Sequence, residues 1–193
     1  MNLDSLEGLE GNTINIHAEL IGRCRDGDPI AQYDLYQLYS RSMFNTALRI
    51  CGNREEAEDV LQEAFVSAFS HLSSYREDAT FGAWLKRIVI NKSITSIKKS
   101  QKEALMMEEA ERTDTEFDPY EDADVQLSVN KIKEALMCLP NGFRSVLSLY
   151  LFEGYDHKEI AEILGITEST SKSQYKRAKD KLRILLEKEV KYG

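Results

Sequence analysis

Little in this chain suits covalent cross-linking or metal chemistry. Its 193 residues hold three cysteines (Cys24, Cys51 and Cys138) and three histidines. The cysteines are odd in number, widely spaced and unaccompanied by paired histidines, so neither a disulfide framework nor a zinc site is expected, and no metal or cofactor is assigned. Proline is equally scarce, at three residues, which fits a helix-rich protein. No apolar run approaches the length needed to cross a bilayer, and the opening MNLDSLEGLEGN lacks the basic and apolar regions of a signal peptide. The expectation is a cytoplasmic, all-α globular protein without membrane insertion. Hydrophobic residues at 42% and charged residues at 30% leave enough apolar surface for one large or two small cores.

The most organised stretch is GYDHKEIAEILGITESTSKSQYKRAKDKL, from Gly154 to Leu182. Asp156 followed by Glu159 has capping-box spacing, which predicts a helix from His157 with Ile160, Ala161, Ile163 and Leu164 on its apolar stripe. Gly165 supplies a left-handed turn, Ile166 anchors it, and Thr167 caps a second helix with Glu168 in its first turn. On that second helix Ser171, Tyr175, Ala178 and Leu182 share one face. The other face carries Ser169, Lys172, Ser173, Lys176 and Arg177. Residues 172–183 contain six basic side chains against the single acid Asp180, in a chain of net charge −8. Such a local reversal of sign marks a contact with nucleic-acid phosphate, and the pattern predicts a helix-turn-helix that enters a DNA groove.

Upstream, residues 1–17 are polar and aperiodic and read as a loose leader. The recurrence of Leu20, Ile21, Ile30, Tyr33, Leu38, Phe44, Ala47 and Leu48, interrupted at Gly27-Asp28-Pro29, predicts a short helix, a turn and a long helix. Asn53 and Glu56 repeat the capping-box spacing ahead of a third helix. Its buried stripe is Ala57, Val60, Leu61, Ala64, Phe65, Ala68, Phe69 and Leu72, and its opposite face holds Asp59, Gln62, Glu63 and Val66. Without a histidine, a cysteine or a glycine-rich phosphate loop beside them, Asp59 and Glu63 read as an outward polar docking face rather than a catalytic or metal-binding carboxylate pair.

A polar loop containing Tyr75 and Arg76 follows, and Thr80 caps a helix with Trp84, Leu85, Ile88 and Val89 on its buried side. Between Lys86 and Lys102 the chain carries Lys86, Arg87, Lys92, Lys98, Lys99 and Lys102 and no acid. Aromatic rings beside a cationic helix suit unstacked bases, because rings stack on any base while cations hold the backbone. Composition then inverts: residues 103–124 hold ten acids against Arg112 alone. This stretch reads as a flexible acidic linker and domain boundary, helical only at its start. Further helices are expected near Ser128 to Leu139 and Phe143 to Phe152.

The order of these parts resembles the sigma factors of bacterial RNA polymerase, sigma-70 family, in particular the small extracytoplasmic-function group. REEAEDVLQEAF (Arg54 to Phe65) and FGAWLKRIVINKSI (Phe81 to Ile94) are similar to the family's second conserved region. The stretch LPNGFRSVLSLYLFEGYDHKEIAEILGITESTSKSQYKRAK is similar to its fourth. The forms GYDHKEIAEILGI and TSKSQ are most similar to members from the Bacteroidetes. The resemblance implies two small helical domains, region 2 over 18–100 and region 4 over 128–193, joined by the linker at 101–127. It implies no enzymatic activity.

By the same resemblance, Asp59, Gln62 and Glu63 match the face that docks on the clamp coiled coil of the polymerase's largest subunit. The loop from Ser73 to Phe81 and the helix through Asn91 match the part that holds the melted minus-ten element, which brings together Tyr75, Arg76, Trp84, Arg87, Asn91 and Lys92. The helix from Thr167 to Lys179 matches the reader of the minus-thirty-five element, with Ser169, Lys172, Ser173, Lys176 and Arg177 on its face. The linker matches the segment that occupies the later path of RNA. Core polymerase and promoter DNA are the implied partners, and the family allows an anti-sigma factor. Two residues depart from the pattern: Thr95 stands where many members carry Asp, and Ser171 where many carry Val, which predicts weaker packing of the recognition helix. The alternative in another class is an autonomous dimeric helix-turn-helix regulator, which requires a symmetric dimer and paired half-sites.

Overall fold

A computed structural model describes residues 17–106 and 125–192, and every regular element among them is helical. The leader, apart from residue 17, and the centre of the acidic linker lie outside the described residues. Helix α1 spans 17–25. Asp28 then caps α2 (Pro29–Cys51) by accepting from the amides of Ile30 and Ala31, with Pro29 at the first helical position, where its missing N–H costs nothing. Gly52, at φ 74°, ends α2 in the left-handed region. Asn53 caps α3 (Arg54–Ser70) through the amides of Glu55 and Glu56. A short 3₁₀ turn (Leu72–Ser74) leads to α4 (Phe81–Met106), whose first turn is held by Thr80 Oγ1 accepting from Ala83 N at 3.3 Å.

The expected stripe of α3 is the face that packs. Ala57, Ala64 and Ala68 are wholly buried, and these small residues let α2 and α4 approach closely, while Val60, Leu61 and Phe65 fill the spaces between. Leu35 and Ala47 from α2 and Leu85 and Val89 from α4 complete this first core. Each fully buried large aliphatic side chain there is worth about 1.5–3 kcal/mol of hydrophobic transfer. α4 runs on to Met106, into the stretch expected as linker, and α5 (Val125–Met137) begins before its expected end.

The second domain comprises α5, α6 (Asn141–Leu151), α7 (His157–Leu164) and α8 (Glu168–Tyr192). Leu136, Leu139, Leu147 and Ala178 form its own core. A third apolar cluster joins the domains: Ile50 of α2 and Ile90, Ile94 and Ile97 of α4 pack with Val146, Leu149 and Ile160 of the second domain.

Candidate nucleic-acid interface

The helix-turn-helix is built as its spacing predicts. Asp156 Oδ1 accepts from the amides of Lys158 and Glu159, both at 2.8 Å, and Glu159 Oε2 accepts from Asp156 N at 2.9 Å, a complete capping box. Gly165 turns at φ 70°, and its amide and that of Ile166 both donate to Ala161 O. Thr167 Oγ1 accepts from Thr170 N at 3.1 Å, starting α8. Ser171 and Ala178 are fully buried, whereas Ser169, Lys172, Ser173, Lys176 and Arg177 are all exposed on the other side. Lys172 Nζ sits 2.6 Å from Glu168 Oε1, an exposed pair one turn apart that a phosphate can displace cheaply. The Ser173 hydroxyl donates to Ser169 O at 2.8 Å, so its lone pairs face outward.

Ser171 does not weaken this packing in the way its polarity predicts. Its hydroxyl lies 3.0 Å from His157 Nδ1, which satisfies it at zero exposure. The His157 ring stacks on Tyr150 at 4.8 Å and 22°, and Tyr175 meets both. A four-residue polar and aromatic pin therefore sets the angle between α7 and α8. Only the odd hydroxyl at a packing position hinted at it in the sequence.

In the first domain Asp59, Gln62, Glu63 and Val66 lie exposed along the outer face of α3, Val66 at 66%. Glu63 Oε2 is 3.2 Å from Lys92 Nζ on α4, so the candidate polymerase face and the candidate minus-ten helix meet in one surface ion pair.

The minus-ten candidates are less uniform. Arg76, Arg87 and Asn91 are exposed, and Trp84 and Lys92 are half-buried. Tyr75 is 8% exposed and differs from the expected open stacking platform. Its ring packs against Phe81 at 5.7 Å and Trp84 at 5.3 Å, and its hydroxyl donates to Ala79 O at 2.7 Å. Arg25 of α1 donates to Tyr75 O at 2.9 Å and reaches Glu77 Oε1 at 3.3 Å. Here Tyr75 anchors the loop from within. Glu77 takes φ 64°, a left-handed conformation uncommon for a residue with a side chain, held by this anchoring. Of the three clustered rings, Tyr75 and Phe81 are buried and Trp84 is half-buried.

The domains are also bolted together by two buried charges that sequence reasoning did not single out. Arg144 of α6, 4% exposed, donates to Cys51 O and, at 3.4 Å, to Ile50 O at the end of α2. It also donates to Leu139 O at 2.8 Å and Asn141 Oδ1 at 2.7 Å. Burial draws its pKa down, yet one guanidinium satisfies orphan carbonyls at two helix ends. Glu153, whose side chain is 1% exposed, accepts from Arg49 Nη2 at 2.7 Å and Thr46 Oγ1 at 3.1 Å, and its other oxygen is 3.0 Å from Lys86 Nζ. Burial alone pushes the Glu153 carboxyl up, but the hydrogen bond from Arg49 and the nearby Lys86 charge outweigh it and hold the pKa below the ordinary value. Beside this pair, Arg87 and Asn91 line a cavity of about 350 Å³ with Tyr155, Glu159 and Glu162.

Residues 35–103 match the family described as Sigma-70 region 2, and residues 130–182 match the family described as Sigma-70, region 4. The chain is 31% identical to the ECF RNA polymerase sigma factor SigW of Bacillus subtilis (strain 168), over 84% of this chain and 92% of that protein. It is 31% identical to the ECF RNA polymerase sigma factor SigM of Mycobacterium tuberculosis (strain Erdman), over 93% of this chain and 89% of that one. Among solved structures it is similar to the sigma factor RpoE in complex with the anti-sigma factor NepR from Bartonella quintana. That similarity has a TM-score of 0.59 and 24% identity, covers 80% of this chain and 96% of that one, and speaks to fold.

Proposed function

The chain belongs to the extracytoplasmic-function group of the sigma-70 family, and from that premise we propose how its surfaces divide the work of promoter-directed initiation. It is a transcription initiation factor, not an enzyme: it binds core RNA polymerase and directs it to promoters, while the phosphodiester chemistry belongs to the polymerase. A self-contained dimeric regulator has no support.

Region 2, over about 18–100, docks on the polymerase clamp through Asp59, Gln62 and Glu63. This reading is supported by their exposure on one helix face opposite a fully packed stripe. Arg76, Trp84, Arg87, Asn91 and Lys92 hold the melted minus-ten strand, with Tyr75 supporting the loop. Region 4, from about 128 onward, reads the minus-thirty-five element in the major groove with Ser169, Lys172, Ser173, Lys176 and Arg177. The acidic linker between them lies along the RNA path. The protein works beside core polymerase in the cytoplasm, and no described helix is long and apolar enough to cross a membrane. An anti-sigma factor is a further partner that we include on the family's account.

The observation that carries this reading is the pairing of an outward acidic face on α3 with an outward basic face on α8, in a chain of net charge −8. The test is titration of core polymerase with the wild type and with D59K/E63K. The reversed variant is expected to bind at least about tenfold more weakly while its circular-dichroism melt stays unchanged. Equal affinity would remove the assignment of α3.

A further inference from the structure

We propose that Arg25 of α1 is a positioning residue for capture of the melted minus-ten strand: it grips the loop on both sides of Arg76 and so fixes the direction in which that guanidinium is offered. The inference rests on the assignment of Arg76 to the minus-ten strand above, and it adds a residue that lies before the stretch 35–103 matched to region 2.

Arg25 Nη2 donates to Tyr75 O at 2.9 Å and lies 3.3 Å from Glu77 Oε1. Tyr75 O belongs to the peptide unit that joins Tyr75 to Arg76, so the first contact fixes the plane of that peptide and the second holds the residue that follows. The base of the loop is fixed from within. The Tyr75 ring is buried against Phe81 and Trp84, and its hydroxyl donates to Ala79 O at 2.7 Å. Arg76 itself is exposed. One cationic side chain is thus left in solvent on a backbone tied down at both neighbours.

Of the two contacts, the bond to the carbonyl carries more. The ion pair with Glu77 is open to water, its side chains 36% and 61% exposed, and such pairs contribute little. The bond to Tyr75 O is partly buried and has a charged donor, which strengthens it. The grip also sets the backbone beyond Arg76. Glu77 sits at φ 64°, where a residue with a side chain is uncommon, and release from Arg25 lets it return to an ordinary φ and swing the Arg76 peptide with it. Arg25 and Glu77 are opposite in sign and together bring no net charge to an approaching strand, so the influence of Arg25 on DNA runs through Arg76.

The experiment is a double-mutant cycle in holoenzyme reconstituted from core polymerase and the full chain, with affinity measured for a fork duplex that carries a single-stranded minus-ten element. R76A and R25A are each expected to weaken binding about three- to tenfold, as for one hydrogen bond lost at a solvated surface. In the R76A background, R25A is expected to change affinity by less than about twofold, because the group it positions is gone. Equal factors for R25A in both backgrounds would overturn the proposal, since Arg25 would then meet the strand itself or act through the fold. Wild-type affinity of R25A would overturn it as well. Should R25A fail to fold by circular dichroism, R25Q takes its place in the same cycle.

R87A, on α4 and outside the loop, separates failure of the inference from failure of the reading beneath it. Weaker binding by R87A with no effect of R76A or R25A overturns the role of Arg25 and leaves the DNA face on α4. Wild-type affinity in all three variants removes the minus-ten assignment itself, and the role of Arg25 with it.

Discussion

The guanidinium of Arg144 occupies the space in which a β-carbon on residue 52 would lie, so Gly52 is required twice over: for its left-handed φ of 74° and for the room it leaves. A side chain there would strain the end of α2 and displace the arginine that ties it to α5 and α6. Substituting G52A is expected to lower stability by more than 1 kcal/mol from backbone strain alone, with roughly 1–3 kcal/mol more from displaced buried hydrogen bonds. Urea unfolding measures it. A loss of only about 1 kcal/mol would mean that Arg144 relocates freely, and a change within about 0.5 kcal/mol would contradict the backbone strain as well.

The pin between α7 and α8 gives a second expectation. S171V places an apolar residue at this packing position but leaves His157 Nδ1 without its partner at a half-buried site, at a cost of about 1–3 kcal/mol. Replacing both members, as in H157L/S171V, is expected to return close to wild-type stability. A double-mutant cycle with a coupling of about 1 kcal/mol supports the pin, and purely additive losses contradict it.

Acid sensitivity follows from Glu153. Its folded pKa is lowered, so its ion pairs add stability that is fully present above the unfolded carboxylate value of about 4.3 and is lost as pH falls through the folded value. Wild type should therefore lose stability more steeply than E153Q below that range, while E153Q is less stable at neutral pH. Parallel pH profiles would mean that the carboxylate gains nothing from Arg49 and Lys86.

The groove-reading face can be tested separately from the rest. K176A and R177A are each expected to weaken binding to minus-thirty-five duplex without disturbing the buried face of α8. Loss of a phosphate contact lowers the salt slope by about one unit, and loss of a base contact costs roughly 1–3 kcal/mol at particular positions only. Salt titrations on matched and scrambled duplex distinguish the two. If neither substitution alters affinity or slope, the face lies elsewhere.

What was legible in the sequence was local. The capping box of Asp156 and Glu159, the turn at Gly165, the stripe from Ala57 to Leu72 and the two faces of α8 each depend on residues within a few turns of one another, and each is found as read. A ring beside a cationic helix suggests an open stacking platform, yet Tyr75 is buried. Its burial depends on Phe81 and Trp84 folding back and on Arg25, 50 residues earlier, holding the loop. The interdomain seam was invisible for the same reason: Arg144 and Cys51 are 93 residues apart, and Arg49 and Glu153 are 104. No periodicity reports a pairing over that distance. The hydroxyl of Ser171 looked like a packing defect because its partner, His157, lies across the turn on another helix.

The most direct measurement of the central claim is promoter-directed initiation by core RNA polymerase reconstituted with this chain. The full chain is expected to yield transcripts from a defined start on a cognate promoter, and D59K/E63K to lose that activity together with polymerase binding. K176A/R177A is expected to keep polymerase binding while initiating poorly. Specific initiation unaffected by all four substitutions would contradict the assignment of both surfaces, and failure of the wild-type chain to bind core polymerase would contradict the account as a whole.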